Sequence, residues 1–421
     1  MLREKQMLFI SSSIGLGHVV RDLAIAERLR NEYPRIRIRW LAGEPAAEYL
    51  KRNGEEVYTG DRSFADMSMA AESAAEDGGL NLFRYVLRVR PAWRRNTAVF
   101  QRVIEEDRFD CVIADEAYEI EAFLHKFPEK KKWPFIVIHD FIGIEASSKR
   151  LAEQIGVRII NKKWIKHGAD LSLFVGTLED IPDERFGIFL PNKRKYACET
   201  YHFVGEILPF EPEKLPSRRR LKKGLGFGPA PLIVCSAGGT AVGKPLLKLC
   251  MDAFPFVHRQ RPEIRMLIVT GPRIDQHEML RYFRNSSSKN GMENSGADDP
   301  AGIEIKSFVP DLYRYFAAAD LCIVQAGGMT TAELSSVQTP FLYVPLEGHS
   351  EQEQHIHQKM KREGAGRPLT LRETTPADLA GIIIRRLEES GTREAVQDRG
   401  APHLKRYKGA ERADSAILWE I

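Results

Sequence analysis

The sequence predicts an α/β protein built from two doubly wound, Rossmann-like domains. The chain has 421 residues, which exceeds the length at which a single core usually suffices. Short apolar runs of strand character alternate with amphipathic helical stretches, and this βα alternation is typical of parallel sheets. The alternation occurs in two series, which a charged, proline-bearing stretch at 209–223 separates. We therefore expect an interdomain linker there.

The two series give the expected domain limits. The N-terminal domain spans residues 1–208, with helices predicted at 19–30 and 80–106 and strands at 7–10, 36–41, 111–114, 135–139 and 171–175. The C-terminal domain spans 224–400, with strands at 232–236, 266–270, 303–308, 321–325 and 341–344. Residues 401–421 predict a last helix. The polar run from Asn285 to Gly302 predicts a surface loop, because it holds too few apolar residues to enter a core.

Composition narrows the class of protein. The 62 basic and 58 acidic residues leave a formal charge of +4, which is too small and too evenly mixed to indicate a nucleic-acid partner. The five cysteines lack Cys-x-x-Cys spacing and are expected to be reduced core residues. The N-terminus shows no secretory h-region, and no later run is long and uncharged enough to cross a bilayer. We expect a soluble, cytoplasmic protein.

The most informative stretch runs from Gln325 to Glu333, between two predicted strands. A strand that passes through glycines, here Gly327 and Gly328, into a helix presents unpaired N–H groups and the positive end of a dipole, which favours a phosphate. Glu333 lies nearly one turn beyond Thr330, where a carboxylate can hold the vicinal hydroxyls of a ribose. The stretch therefore predicts a site for a nucleoside diphosphate.

This stretch resembles the donor motif of nucleotide-sugar glycosyltransferases with the GT-B fold, in which a glycine pair, a Ser/Thr and a Glu follow a strand at this spacing. In those enzymes an acidic-Gln pair follows the next strand, and Glu351-Gln352 occupies that place here. The resemblance implies a GT-B fold, a nucleotide-sugar donor and a C-terminal helix that packs back on the first domain. It also implies that Glu351 and Gln352 contact hydroxyls of the donor sugar.

The loop after the first strand contains Gly15, Gly17, His18 and Arg21 in a Gly-Leu-Gly-His-x-x-Arg string. A third glycine is missing, which disfavours a dinucleotide site, and the string resembles the opening of prokaryotic GT-B transferases. A histidine at a helix N-terminus keeps a neutral imidazole, which suits a general base. Alternatively, His18 only binds phosphate or backbone. Arg21 is expected to contact a phosphate or an acidic acceptor, or to be a solvated surface residue.

Asp115 ends the predicted strand 111–114, and strand ends at one edge of a parallel sheet converge in space. In plant-type relatives an Asp after this strand pairs with the loop histidine, so the resemblance implies a His18–Asp115 pair. The alternative is that Asp115 caps the following helix.

Two further donor contacts are expected in the second domain from the same resemblance. Gly239 and Thr240 follow the strand 232–236 and match the Gly-Gly-Ser loop of bacterial lipid-linked GlcNAc transferases, in which a hydroxyl meets the diphosphate. Val309 matches the position that holds uracil, with a buried strand terminus as the alternative. Gln325 stands where eukaryotic relatives have His and bacterial ones Arg, and a neutral amide weakens the phosphate clamp. No zinc site and no other metal site is expected.

The segment Leu80–Asn96 interleaves five arginines with apolar residues. Such a segment can lie on an anionic membrane or grip an acidic acceptor, although a core-facing helix with a solvated basic face is more common. It is the only predicted surface for peripheral membrane contact.

Together these features predict a metal-independent glycosyltransferase of the hexosyl or N-acetylhexosaminyl class that needs no cofactor. It would move a sugar from a nucleotide sugar, expected to be UDP-linked, to a small-molecule or lipid-linked acceptor hydroxyl with inversion. One alternative is a nucleotide-sugar epimerase of the same fold. The other is a sugar-nucleotide-binding or scaffold protein without turnover.

Overall fold

The computed structural model describes residues 4–12, 16–67, 69, 72–73, 75–76, 79–80, 82–144, 151–165, 168–289, 302–346, 351–391 and 404–420. Within these residues two parallel sheets are present, one in each half of the chain. A two-stranded antiparallel ribbon lies beside them. No helix among the described residues is long and apolar enough to cross a membrane.

The first sheet has seven strands in the order β3-β2-β1-β6-β7-β8-β9. The strands of this half are β1 (Lys5–Ile10), β2 (Ile36–Leu41), β3 (Glu56–Val57), β4 (Ala75–Glu76), β5 (Gly79–Leu80), β6 (Cys111–Asp115), β7 (Phe135–His139), β8 (Leu171–Val175) and β9 (His202–Gly205). The helices are α1 (Gly17–Glu32), α2 (Ala46–Arg52), α3 (Leu82–Glu106), α4 (Tyr118–Lys126), α5 (Leu151–Trp164) and α6 (Lys193–Thr200). The sequence pattern did not predict β9.

The second sheet has six strands in the order β12-β11-β10-β13-β14-β15. They are β10 (Leu232–Ser236), β11 (Arg265–Val269), β12 (Ile303–Lys306), β13 (Leu321–Gln325), β14 (Phe341–Val344) and β15 (Arg367–Pro368). The helices are α7 (Arg218–Gly224), α8 (Lys244–Gln260), α9 (Gln276–Lys289), α10 (Leu312–Ala318), α11 (Gly328–Ser336), α12 (His357–Glu363), α13 (Pro376–Gly391) and α14 (Gly409–Glu420). The predicted α/β class with two Rossmann-like sheets is confirmed.

Alternation along each central strand builds a core on both faces of its sheet. In β1, Met7 and Phe9 pack with α1 on one face, while Leu8 and Ile10 pack on the face that carries α3 and α4. Parallel strands covered on both faces read as near-continuous apolar runs, which is why the sequence revealed them. Each sheet reverses direction beside its first strand, between β1 and β6 and between β10 and β13. Ligands of doubly wound folds bind at such switch points.

The segments around the domain boundary depart from the simple prediction. Helix α7 begins inside the stretch 209–223 expected to be a linker and ends at Gly224, and its Leu221 is buried in the core of the second sheet. Helix α9 extends to Lys289, so the start of the predicted Asn285–Gly302 loop is helical, and residues 290–301 lie outside the described part. Four of the five cysteines are buried as expected, but Cys198 on α6 is exposed.

The C-terminal helix α14 packs on α1 of the first domain, where Ala413 and Ile417 are fully buried. The chain reaches it through a close backbone crossing at the end of β9. There Glu206 N–H donates to the Arg406 carbonyl at 2.7 Å, and Gly409 N–H donates to the Glu206 carbonyl at 2.9 Å. Gly205 makes this crossing with φ +82°, and a Cβ on it would lie 2.5 Å from the Arg406 carbonyl oxygen.

We expect Gly205→Ala to destabilise this crossing by about 2 kcal/mol or more, because the new Cβ clashes with backbone and the left-handed conformation disfavours a side chain. The measurement is the thermal midpoint by circular dichroism, with an expected loss of about 4–8 °C. Gly224→Ala is the control, since nothing lies within 4 Å of a Cβ there and its φ is not positive. Equal midpoints for the two variants would contradict the packing of the return segment.

Candidate active site

The switch point of the first sheet gathers side chains from three strand ends. Helix α1 begins at Gly17 directly after the β1 loop, so His18 and Arg21 lie one turn apart and point toward the end of β6. His18 Nδ1 lies 3.3 Å from Asp115 Oδ1. The structure thus brings together the two residues that the sequence nominated for catalysis. Asp115 shows no exposed surface, whereas His18 is partly exposed toward the cleft.

Arg21 is the centre of this cluster. Its Nε donates to Asp115 Oδ2 at 2.7 Å, its Nη2 to Asp115 Oδ1 at 2.5 Å, and its Nη1 to Asp140 Oδ2 at 2.5 Å. Only 5% of Arg21 is exposed, so the expectation of a solvated surface arginine is wrong. Both ends of its guanidinium are occupied by carboxylates, which disfavours a second role as a phosphate clamp.

The charges in the cluster perturb one another strongly. Burial alone would raise the pKa values of Asp115 and Asp140, but the Arg21 cation outweighs burial and holds both pKa values well below their usual range. Burial likewise opposes the charge of Arg21, and the two aspartates overcome it and raise its pKa. The three groups form a buried ionic triad that is charged at neutral pH.

His18 Nδ1 faces one hydrogen-bond acceptor and one hydrogen-bond donor. Asp115 Oδ1 can accept a hydrogen bond from it, while Arg21 Nη2 lies 2.8 Å away and can donate a hydrogen bond to it. A general base needs the first arrangement, because Nδ1–H then leaves a lone pair on Nε2. With the second arrangement Nε2 carries the proton and is a donor. Arg21 therefore governs the tautomer of His18 as directly as Asp115 does.

Two acidic residues of the cluster were not predicted from the sequence. Asp140 directly follows β7, so the rule that found Asp115 at the end of β6 would also have found it. Glu116 lies 3.7 Å from His18 Nε2 and has φ +48°, which is uncommon for a side-chain-bearing residue. Burial, followed by the charge of Asp140, raises the pKa of Glu116 well above its usual range. No sequence pattern indicated Glu116.

Ligand atoms of His18, Glu116 and Asp140 lie within 4.8 Å of one another, the spacing of a metal site. One carboxylate oxygen of Asp140 already accepts from Arg21. A cation there would have to share Asp140 with a guanidinium, which disfavours such a site by charge repulsion. These three residues are the candidates if a metal binds.

The predicted phosphate site occupies the switch point of the second sheet. Gly327 is the extended N-cap residue of α11, Gly328 begins the helix, and Thr330 is partly exposed in its first turn. Glu333 is buried on the same helix, and burial raises its pKa to about 8. A carboxyl that is protonated near neutrality can donate as well as accept a hydrogen bond.

Gln325 and Gln352 bind each other instead of facing outward. Gln325 Nε2 donates to the Val344 carbonyl at 2.8 Å and to Gln352 Oε1 at 3.0 Å. Gln352 Oε1 also accepts from Leu346 N–H at 3.0 Å. Gln325 thus fastens β13 to the chain after β14 and is not a phosphate clamp here. The side chain of Glu351 and all of Gly15 lie outside the described residues.

The other predicted donor contacts lie along the same edge of the second sheet. Gly239 and Thr240 form the partly exposed turn between β10 and the short helix Ala241–Gly243. Val309 is 4% exposed and packs in the core of its domain, which agrees with the alternative of a buried strand terminus. Its side chain is therefore less available to a base than expected.

The two switch points face each other. A Cβ on Gly17, at the start of α1, would lie 3.3 Å from Met329 Cβ in the first turn of α11. A cavity of about 50 Å³ lies between the domains. Its walls come from Arg21, Asp140, Val175 and Asp180 of the first domain, from Glu206 and Ile207 of the crossing, and from Gly328, Met329, Thr331, Ala332, His355, Ile356 and Lys359 of the second.

The basic segment of α3 can be described only in part, because the side chains of 82–87 lie outside the described residues. Arg88, Arg90, Arg94 and Arg95 are exposed, while Val89 is buried. This arrangement agrees with a core-facing helix that has a solvated basic face.

Residues 233–412 match the glycosyltransferase family 28 C-terminal domain. Among solved structures, the glycotransferase of kitacinnamycin has a TM-score of 0.63 at 14% identity over 100% of both chains. Anabaena HepE, solved with UDP and glucose, has a TM-score of 0.57 at 15% identity over 99% of this chain and 100% of its own. The chain has the GT-B fold, and its second half is similar to the glycosyltransferase family 28 C-terminal domain. The resemblance to GT-B glycosyltransferases is thus confirmed.

Curated relatives are named as glycosyltransferases or N-acetylglucosamine transferases. A UDP-N-acetylglucosamine--N-acetylmuramyl-(pentapeptide) pyrophosphoryl-undecaprenol N-acetylglucosamine transferase from Acidiphilium cryptum is 32% identical over 128 residues, which is 30% of this chain. The alignment covers only 34% of that relative's length. An uncharacterized glycosyltransferase from Methanosarcina acetivorans is 27% identical over 405 residues, which cover 93% of this chain and 92% of the relative. The GT-B similarity therefore extends across both domains.

We expect Arg21→Gln to destabilise the GT-B fold strongly, by about 3–5 kcal/mol, because it leaves the Asp115 and Asp140 carboxylates buried without their counter-charge. Urea or thermal unfolding of the purified protein measures this loss. Arg37→Gln is the matched control, since Arg37 is half exposed and pairs with an exposed glutamate. A neutral effect of Arg21→Gln would mean that the ionic triad is not formed in solution.

Glu333 should make stability depend on pH. Its folded-state pKa of about 8 lies above the ordinary value of 4.5, so its contribution is complete below about pH 4.5 and is lost as the pH rises through 8. The side chain of Glu333→Gln is neutral throughout this range. Between pH 5 and 8.5 we therefore expect its free energy of unfolding to rise relative to that of wild type by roughly a few kcal/mol. Thermal midpoints across this range give the difference. The exposed Glu373→Gln is the control, and parallel curves for wild type and Glu333→Gln would contradict the burial of this carboxyl.

Proposed function

We propose that the protein transfers a sugar from a UDP-linked donor to an acceptor hydroxyl with inversion and without a metal. The observation that carries this proposal is the opposition of two switch points across the cleft. One supplies a histidine backed by a buried carboxylate, and the other supplies a glycine-rich helix N-terminus followed by a buried glutamate. Such a pair separates the two tasks of a direct displacement, activation of the nucleophile and stabilisation of the leaving group.

The donor is assigned to the second domain. The N–H groups at the start of α11 and the turn at Gly239 and Thr240 would receive the diphosphate, and Glu333 would hold the ribose hydroxyls. The start of α11 also lines the cavity between the domains, through Gly328 and Met329.

The acceptor hydroxyl would lose its proton to His18 Nε2 as it attacks the anomeric carbon. This step requires the tautomer in which His18 Nδ1–H donates to Asp115, 3.3 Å away, so the Arg21 Nη2 contact at 2.8 Å to the same nitrogen must give way in this scheme. The C–O bond to the diphosphate breaks as the new C–O bond forms, so the configuration inverts. The leaving diphosphate keeps the bonding electrons, and the helix dipole and loop N–H groups would stabilise its charge.

The acceptor class rests on weaker support than the donor. The name of the Acidiphilium cryptum relative includes both a UDP-N-acetylhexosamine and an undecaprenol-linked acceptor, so we include N-acetylhexosaminyl donors and lipid-linked acceptors in the proposal. The exposed arginines of α3 would suit anionic groups of a membrane surface or of such an acceptor. The proposal also includes small-molecule acceptors.

The test is to incubate the protein with a panel of UDP- and TDP-sugars and candidate acceptors, with and without EDTA. We expect UDP release and glycosylated product that EDTA leaves unchanged. His18→Ala should lower the rate by about 10²- to 10⁴-fold, because it removes the base, whereas the exposed His202→Ala should not change it. Unchanged transfer by His18→Ala would remove the base assignment, and loss of activity in EDTA would remove metal independence.

The same panel separates the rival functions. Glu333→Ala should weaken UDP binding by about tenfold or more, because a buried hydrogen-bonding group is lost. Epimerisation of the donor sugar in the absence of any acceptor would instead support the epimerase function. Tight UDP binding with neither transfer nor epimerisation would support a binding or scaffold protein, and normal UDP binding by Glu333→Ala would refute the assigned donor site.

A further inference from the structure

The two domains are also joined by an ionic contact outside the catalytic cluster. Arg273, in the loop after β11, is held by two carboxylates of the first domain. Its Nε and Nη2 donate to the two oxygens of Glu72 at 3.0 and 2.8 Å, and its Nη1 donates to Asp66 at 2.6 Å. All three charged groups in these bonds are partly buried. The Nε–Nη2 edge of Arg273 therefore binds one carboxylate in bidentate fashion.

The same Glu72 carboxylate also occupies the predicted donor loop. Its Oε1 accepts from Ala241 N–H at 3.0 Å, so the loop amide and the Arg273 Nε converge on one oxygen. Ala241 directly follows Thr240. The two loops are in close contact, because a Cβ on Gly271 would lie 2.1 Å from the Gly238 carbonyl oxygen. A forked cation and a backbone donor that meet on one oxygen form a geometry suited to phosphate as well as carboxylate.

A site for the donor diphosphate needs a positively charged group nearby. A diphosphate leaving group carries negative charge, whereas Gln325 at the end of β13 is a neutral amide bound to the Val344 carbonyl. None of the donor contacts that the sequence predicts in the second domain is a cation. Arg273 is positively charged and reaches the same loop as Thr240.

We propose that Arg273 and the Ala241 N–H form a phosphate subsite for the donor diphosphate, and that Glu72 fills this subsite with its own carboxylate until the nucleotide displaces it. The inference rests on the proposed function, since it names a contact of the same donor. Glu72 and Asp66 belong to the first domain and Arg273 to the second. Displacement would therefore release an interdomain ionic contact as the donor charge arrives.

Calorimetric titration of the full-length protein with UDP and with uridine tests this subsite. Glu72→Gln should tighten UDP binding by about three- to tenfold, because the competing carboxylate loses its charge. Arg273→Gln should weaken UDP binding by about tenfold or more, because a charge-assisted contact is lost. Arg273→Lys should fall between wild type and Arg273→Gln, since it keeps the charge without the fork. Uridine has no phosphate, so its affinity should change less than about twofold in every variant.

The opposite signs for Glu72→Gln and Arg273→Gln are the decisive result. If the contact only latches the domains together, both substitutions break the same latch, so UDP affinity moves in one direction in both and uridine affinity moves with it. That outcome would overturn the subsite, as would unchanged UDP binding in Arg273→Gln. Failure of wild type to bind UDP would refute the proposed function itself, whereas normal UDP binding that depends on Glu333 but not on Arg273 would refute only this inference.

Discussion

The buried guanidinium of Arg21 is the interaction on which the first half of the site depends. It ties the first turn of α1 to the ends of β6 and β7 through Asp115 and Asp140. Two carboxylates at adjacent strand ends would repel each other in a dry environment, and the shared cation makes their burial tolerable. The same cation lies against His18 Nδ1. Arg21 therefore contributes to local stability and, together with Asp115, to the proton position on His18.

The second constraint is the close approach of the two helix starts. Gly17 and Met329 meet with almost no spare volume, and the backbone crossing at Gly205 carries the chain back to the first domain. The charged contacts from Arg362 to Asp180 and from Lys359 to Glu206 lie beside the same cavity. These polar contacts join the domains beside an apolar cluster of Leu208, Ala332 and Tyr407.

The sequence was sufficient for the elements that repeat a local pattern. Strands buried on both faces and a glycine-rich turn before a helix are visible in one dimension, and so are residues at strand ends, such as Asp115. Asp140 also follows a strand end and could have been predicted in the same way, but no family motif includes it in the sequence analysis. The partners of Gln325 and the position of Glu72 were not predictable, because each depends on contacts between segments that sequence spacing does not relate. Val309 illustrates the opposite error. It matches the motif position for a base contact, but its side chain is buried in the core.

Electrostatics connects these observations. At the end of β13 this chain has a neutral amide, Gln325, which binds the chain after β14. The positive charge next to the donor loop is instead on Arg273, one strand further along the sheet beyond β10, and first-domain carboxylates neutralise it. A cation at the strand end would be available whether the cleft is open or closed. In the proposed scheme the donor diphosphate displaces Glu72 from Arg273, and a single arginine then couples the donor charge to a contact between the domains.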